Sequence, residues 1–122
     1  MRYTCRLTVL LTLALLIPGD AANARDMPFM NFVLDKSEET CKDAKTPKCG
    51  FDHVMPAVFA GAMDASDALA DTFEKFGDAQ KVEEVRSRIQ RDAVYLDRWL
   101  NWLKDCWSKN KYIGCGTERL QP

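Results

Sequence analysis

One apolar stripe constrains this chain more than any other feature. Val82, Val85, Ile89, Ala93, Leu96, Leu100, Leu103 and Trp107 step 3-4-4-3-4-3-4 along the sequence. That spacing marks one face of a helix and is incompatible with the alternation of a strand. Asp78 stands at its start as an N-cap. Glu83 and Glu84 lie in the early turns and Lys104 and Lys109 near the end, as the helix dipole favours. A helix of this length spans about 45 Å and cannot bury its stripe alone, so the rest of the chain must be built against it.

The nearest partner ends at Gly77, a residue suited to the left-handed conformation that closes helices. Upstream of it, Met55, Val58, Ala62, Ser66, Leu69, Phe73 and Phe76 recur at three- and four-residue steps and form the expected buried face of a second helix. Asp52 is its expected N-cap, and Pro56 falls in its first turn. A link as short as Gly77-Asp78 folds two helices into an antiparallel hairpin. The segment 27–44 supplies Phe29, Phe32, Val33 and Leu34 as a third, shorter helix across the hairpin. The tail after Asn110, with Gly114, Gly116 and Pro122, reads as irregular. The expected fold is therefore all-α.

Residues 1–24 are read apart from this domain. A basic start, the apolar run LTVLLTLALLIPG and an Ala22-Asn23-Ala24 site match a secretory leader cleaved before Arg25. The run is shorter than the roughly 20 residues of a membrane anchor. The expected product is one domain, residues 25–122, secreted or periplasmic and without a stable membrane anchor. The leader takes Arg2, Arg6 and Asp20 with it, so 15 basic and 17 acidic residues remain, a formal charge of −2. That balance argues against a nucleic-acid partner.

Cys5 also leaves with the leader. Four cysteines remain, Cys41, Cys49, Cys106 and Cys115, and an even number in a small exported domain reads as two disulfides. Reflecting the hairpin about residues 77–78 sets position 49 opposite 106 and position 41 opposite 114. Nested bridges Cys49–Cys106 and Cys41–Cys115 are therefore the expected pairing. The rival, Cys41–Cys49 with Cys106–Cys115, is sterically allowed and closes shorter loops, so it stabilises less. Three tryptophans crowd the same end of the long helix. Trp107 lies in the stripe, Trp99 on its shoulder and Trp102 about 140° from its centre. They are read as core rather than as a displayed face, with Trp102 the most outward.

No nucleophile, base and orienting group can be assembled. His53 is the lone histidine, no serine lies near it, and the cysteines are committed to disulfides. The chain is therefore read as non-enzymatic and without a cofactor. Two binding readings remain. Asp64, Asp67, Asp71 and Glu74 form an acidic row that, with Trp102 and Tyr112, is a contact surface for another exported protein. Alternatively, His53 and Met55 with Met27 and Met30 offer imidazole and thioether ligands suited to Cu(I).

CKDAKTPKC, then ASDALADTFEKF, then RSRIQRD and a late cysteine pair followed by ERL resemble the LprI-type family of secreted lysozyme inhibitors over most of residues 40–120. The resemblance implies a small exported helical domain with paired cysteines near each end. It also implies a cell-wall-degrading enzyme as target, and an acidic surface would complement a basic lysozyme.

Overall fold

The computed structural model describes residues 27–109 and Cys115. The expected leader, Tyr112 and the irregular tail lie outside the described residues. Four helices follow in order: α1 (Pro28–Cys41), the single turn α2 (Lys48–Phe51), α3 (Val54–Lys75) and α4 (Ala79–Lys109). No strand occurs among the described residues, and no described helix is long and apolar enough to cross a membrane.

The turn between α3 and α4 forms as its residues dictate. Gly77 takes φ 75°, a conformation that costs glycine nothing. The Asp78 carbonyl accepts from Val82 N (3.1 Å), the first bond of α4. Its carboxylate accepts from Lys81 N (3.2 Å), so Asp78 caps the helix. Contacts then step outward from the turn in opposite chain directions. Arg86 meets Asp71 and Glu74, Tyr95 and Trp99 meet Phe59, and Trp107 meets Asp52. Helices α3 and α4 thus lie antiparallel, and α1 packs against both.

The stripe of α4 is the core. Ile89, Leu96, Leu100, Leu103 and Trp107 are buried, Val85 and Ala93 pack at its margin, and Val33 of α1, Ala60 and Met63 of α3 face it. Trp99 and Trp102 are half-buried against this core, so the tryptophan cluster belongs to the interior. Phe29 and Phe32 pack inward as expected, whereas Leu34 is exposed.

Three expectations are corrected. The expected buried face of α3 points outward: Met55, Val58, Leu69 and Phe76 are all exposed. The inward face is Pro56, Ala60, Met63, Asp64 and Ala70, whose alanines let α1 and α4 approach. Gly61 shows how closely, since a Cβ there would lie 2.9 Å from Met30 Cε. Asp52 is not the side-chain cap of α3, whose N-cap is His53. Its carboxylate instead holds Lys48 Nζ (both oxygens at 3.0 Å) and accepts from Trp107 Nε1 (3.1 Å).

The disulfides are the short pair, Cys41–Cys49 and Cys106–Cys115, not the nested one. The axial reflection was sound, because Asp52 does meet Trp107. Rotation about the α4 axis, not axial position, decides the pairing. Adjacent residues on a helix point about 100° apart, so with Trp107 aimed at α2, Cys106 is turned away from it. The loop 42–47 meanwhile folds back and seats Cys49 beside the end of α1, with 5.7 Å between the Cys41 and Cys49 Cα atoms. Sequence separations of 8 and 9 correspond to roughly 2.5 kcal/mol each in the chain-entropy treatment. Two such bridges fit an oxidising compartment.

Candidate interaction surface

The acidic row expected on α3 divides into three environments. Asp64 is buried, 5% exposed. Its Oδ1 accepts from Phe29 N (3.0 Å) and its Oδ2 from Met30 N (2.9 Å). It therefore caps α1 and cannot touch a partner, which corrects its assignment as a contact residue. Asp67 is half-buried. Asp71 and Glu74 are exposed, and both accept from Arg86 Nη2, at 3.1 and 3.0 Å. Those two carboxylates raise the Arg86 pKa, the Glu74 hydrogen bond contributing most. Arg86 thus offsets one of the two exposed negative charges within the molecule.

The proposed copper set is not gathered. His53 is buried at 3% exposure, while Met55 lies on the outer side of α3. Met30 packs over Gly61, two helical turns or about 12 Å along the axis from His53. The His53 Nδ1 instead sits 2.7 Å from the Cys49 carbonyl oxygen, to which it donates, and 3.9 Å from Cys41 Sγ. His53 and the two sulfurs lie close enough together to hold a metal ion, but as a disulfide the sulfurs are not the thiolates that ligate. His53 Nε2 is buried without a protein partner.

A cavity of about 520 Å³ opens where the 42–46 loop meets the end of α4. Lys42, Lys45 and Lys104 line it, but so do Glu39 and Asp43, so it presents no single sign of charge. Lys104 Nζ donates to Glu39 Oε1 at 2.7 Å, joining α4 to α1. That hydrogen bond, then the Lys104 and Lys36 charges, hold the Glu39 carboxyl below its ordinary range. A depressed carboxylate contributes stability above its unfolded pKa, near 4.3, and loses it as pH falls through the lower folded value. In a side-chain NMR titration, Lys104→Met is expected to return the Glu39 midpoint toward the ordinary range. An unchanged midpoint would remove Lys104 as the cause.

The largest unexplained feature is the outer side of α3. Met55, Val58, Ala62, Ala65, Leu69, Thr72 and Phe76 follow one another at 3-4-3-4-3-4 steps, and Phe51 continues the series one step earlier. All eight are exposed. Val54 and Ala68 flank them, also exposed. Every acidic residue of α3 lies off this strip. Exposed charge is the ordinary state of a helix surface, so an outward face without any, bearing two phenyl rings, is the inverse of a solvated one. From Met55 to Phe76 it runs about 32 Å along α3, and large contiguous apolar surface is what interaction sites present. Sequence periodicity found most of these residues but assigned them to the core. The outer face is the more regular and more apolar side, whereas the inner face is interrupted by Asp64.

No protein-family model, curated protein or solved structure matches this chain.

Proposed function

We propose that this chain is an exported, non-enzymatic binding protein that inhibits or neutralises another exported protein, and that it does so through the outer face of α3. The observation that carries this reading is the uncharged apolar strip from Phe51 to Phe76, held on a short-loop, disulfide-bonded helical scaffold. Interface centres are apolar, aromatic and poor in charge, and a rigid helix face meets a groove or a second helix with little entropy loss on binding. The acidic row contributes less than its composition suggests, because Asp64 is internal and Asp71 and Glu74 already hold Arg86.

The resemblance to secreted lysozyme inhibitors makes a cell-wall lytic enzyme the target to try. Purified protein with both disulfides formed, at micromolar concentration, is expected to slow the clearing of a cell-wall suspension by lysozyme. Val58→Glu and Leu69→Glu, both at exposed positions, are expected to remove that inhibition with the helical circular dichroism unchanged. Absence of inhibition by the unmodified protein would reject the lytic-enzyme target. Full inhibition by both variants would reject the α3 face.

A further inference from the structure

The outer strip of α3 has an internal symmetry that selects its occupant. Seven of its positions, Met55, Val58, Ala62, Ala65, Leu69, Thr72 and Phe76, lie on α3 and its C-cap, and the eighth, Phe51, ends the preceding turn α2. About the midpoint between Met63 and Asp64 they match in reverse order: Phe51 with Phe76, Met55 with Thr72, Val58 with Leu69, Ala62 with Ala65. Phenyl rings stand at both ends, the branched aliphatics Val58 and Leu69 flank the centre, and alanines sit at it, while Met55 and Thr72 are the one unlike pair. A surface that reads alike in both directions is what a two-fold interface requires, because there the same patch must meet itself.

From these observations we infer that the outer face of α3 is occupied in the free protein by the α3 of a second copy, running antiparallel. The inference rests on the reading that this face docks a protein, and names its first partner. From Met55 to Phe76, along α3 and its C-cap, steps of 3-4-3-4-3-4 are the a/d repeat of a helix-pair seam. In the antiparallel register every layer joins an a position to a d position. Ala62 and Ala65 at the two-fold axis allow the helix axes to approach to about 8 Å, the close end of the usual range. Met55 against Thr72 is the least apolar layer, and it recurs symmetrically rather than at the centre.

Area and electrostatics agree with this occupant. Phe51 and Phe76 are 77% and 83% exposed, and between them offer on the order of 300 Å². With Val54, Met55, Val58, Leu69 and the alanines, the strip reaches the order of 800 Å², what one partner buries in a stable interface. No charge lies among the eight seam positions, so self-pairing brings no like charges together within it. The antiparallel arrangement also sets the positive end of each helix dipole beside the negative end of the other.

The test is a charge exchange read by sedimentation equilibrium. The full chain, expressed with its own N-terminal segment and purified with both disulfides formed, is expected to sediment at twice the mass of one chain at about 50 µM. Val58→Glu alone and Leu69→Lys alone are expected to halve that mass. Both positions are exposed, and unchanged circular dichroism confirms folding. Mixing the two variants is expected to restore the dimer, since position 58 then faces position 69 of the other chain as a Glu–Lys pair. Rescue by mixing Val58→Glu with Val58→Lys instead would show a parallel seam and overturn the register. A monomeric unmodified protein, or a dimer that survives both single substitutions, overturns the inference. In either case the lysozyme-clearing result with Val58→Glu and Leu69→Glu decides separately whether the face docks a foreign protein.

Discussion

Asp64→Ala is expected to cost about 3 kcal/mol of stability, because it removes a helix cap supplied from another part of the chain. Helix α1 begins at Pro28, which has no N–H to satisfy, and its N-cap residue Met27 makes no side-chain capping bond. The next donors, Phe29 N and Met30 N, both go to the Asp64 carboxylate. The fourth, Asn31 N, goes to the Met27 carbonyl (2.9 Å). The start of α1 is therefore fully accounted for, and half of that account lies 35 residues downstream in α3. A hydrogen bond to a charged acceptor contributes about 1.5–3 kcal/mol, and leaving a buried donor unmade costs a similar amount. In a domain of this size, 3 kcal/mol lowers Tm by roughly 12–20 °C. Chemical denaturation should show a lower midpoint with an unchanged m-value, and the Phe29 and Met30 amides should exchange faster than those of α4. Asp64→Asn keeps one acceptor and turns an amide N–H₂ toward a donor, so it should recover little. A loss below 1 kcal/mol would mean that packing alone fixes α1.

This residue shows where the sequence stopped being legible. Local features were readable because their causes are local. Helix α4, its buried stripe, the Gly77 turn and the Asp78 cap each follow from neighbours within one or two helical turns, and each stands in the structure. The even cysteine count likewise indicated two disulfides. What could not be read were relations set by rotation about a helix axis. Asp64 has the same spacing to Asp67 and Asp71 as any solvated acid, and nothing near it in sequence reveals that α1 will start against it. The pairing of Cys106 with Cys115 turned on the same problem. So did the orientation of α3, whose more apolar side faces outward. A rule that puts hydrophobic residues inside holds only when water is the alternative. Where an apolar partner covers the outer face, the inner face is free to carry alanine, glycine and a capping carboxylate.

Trp107→Ala is expected to destabilise the domain by about 4 kcal/mol, more than opening either disulfide, because it is Trp107 that ties the far end of α4 to the start of α3. Both disulfides join residues close in sequence. Cys41–Cys49 fixes the loop after α1 and Cys106–Cys115 fixes the end of α4, but neither links α4 to α3. Trp107 does. It is 5% exposed within the core, and its Nε1 donates to Asp52 at the α2–α3 junction. Lys48 Nζ lies 5.8 Å above its ring while bonding the same carboxylate. Truncating a buried indole removes its burial and leaves a cavity, typically 3–5 kcal/mol together. Trp107→Phe separates the contributions. It keeps most of the packing and loses the Nε1 bond to a carboxylate, for about 1.5–3 kcal/mol from that bond beyond the smaller ring's packing loss. Hydrogen exchange gives the spatial check. In Trp107→Ala, amides in 48–57 and 100–109 should lose protection while those flanking Gly77 keep it, since the turn is closed by its own cap and glycine. Uniform loss across α3 and α4 would instead show that the hairpin opens as one unit, with Trp107 contributing only its share of a common core. Protection lost only at the open end would show that the indole is what holds that end closed, a task the nested disulfides would have performed.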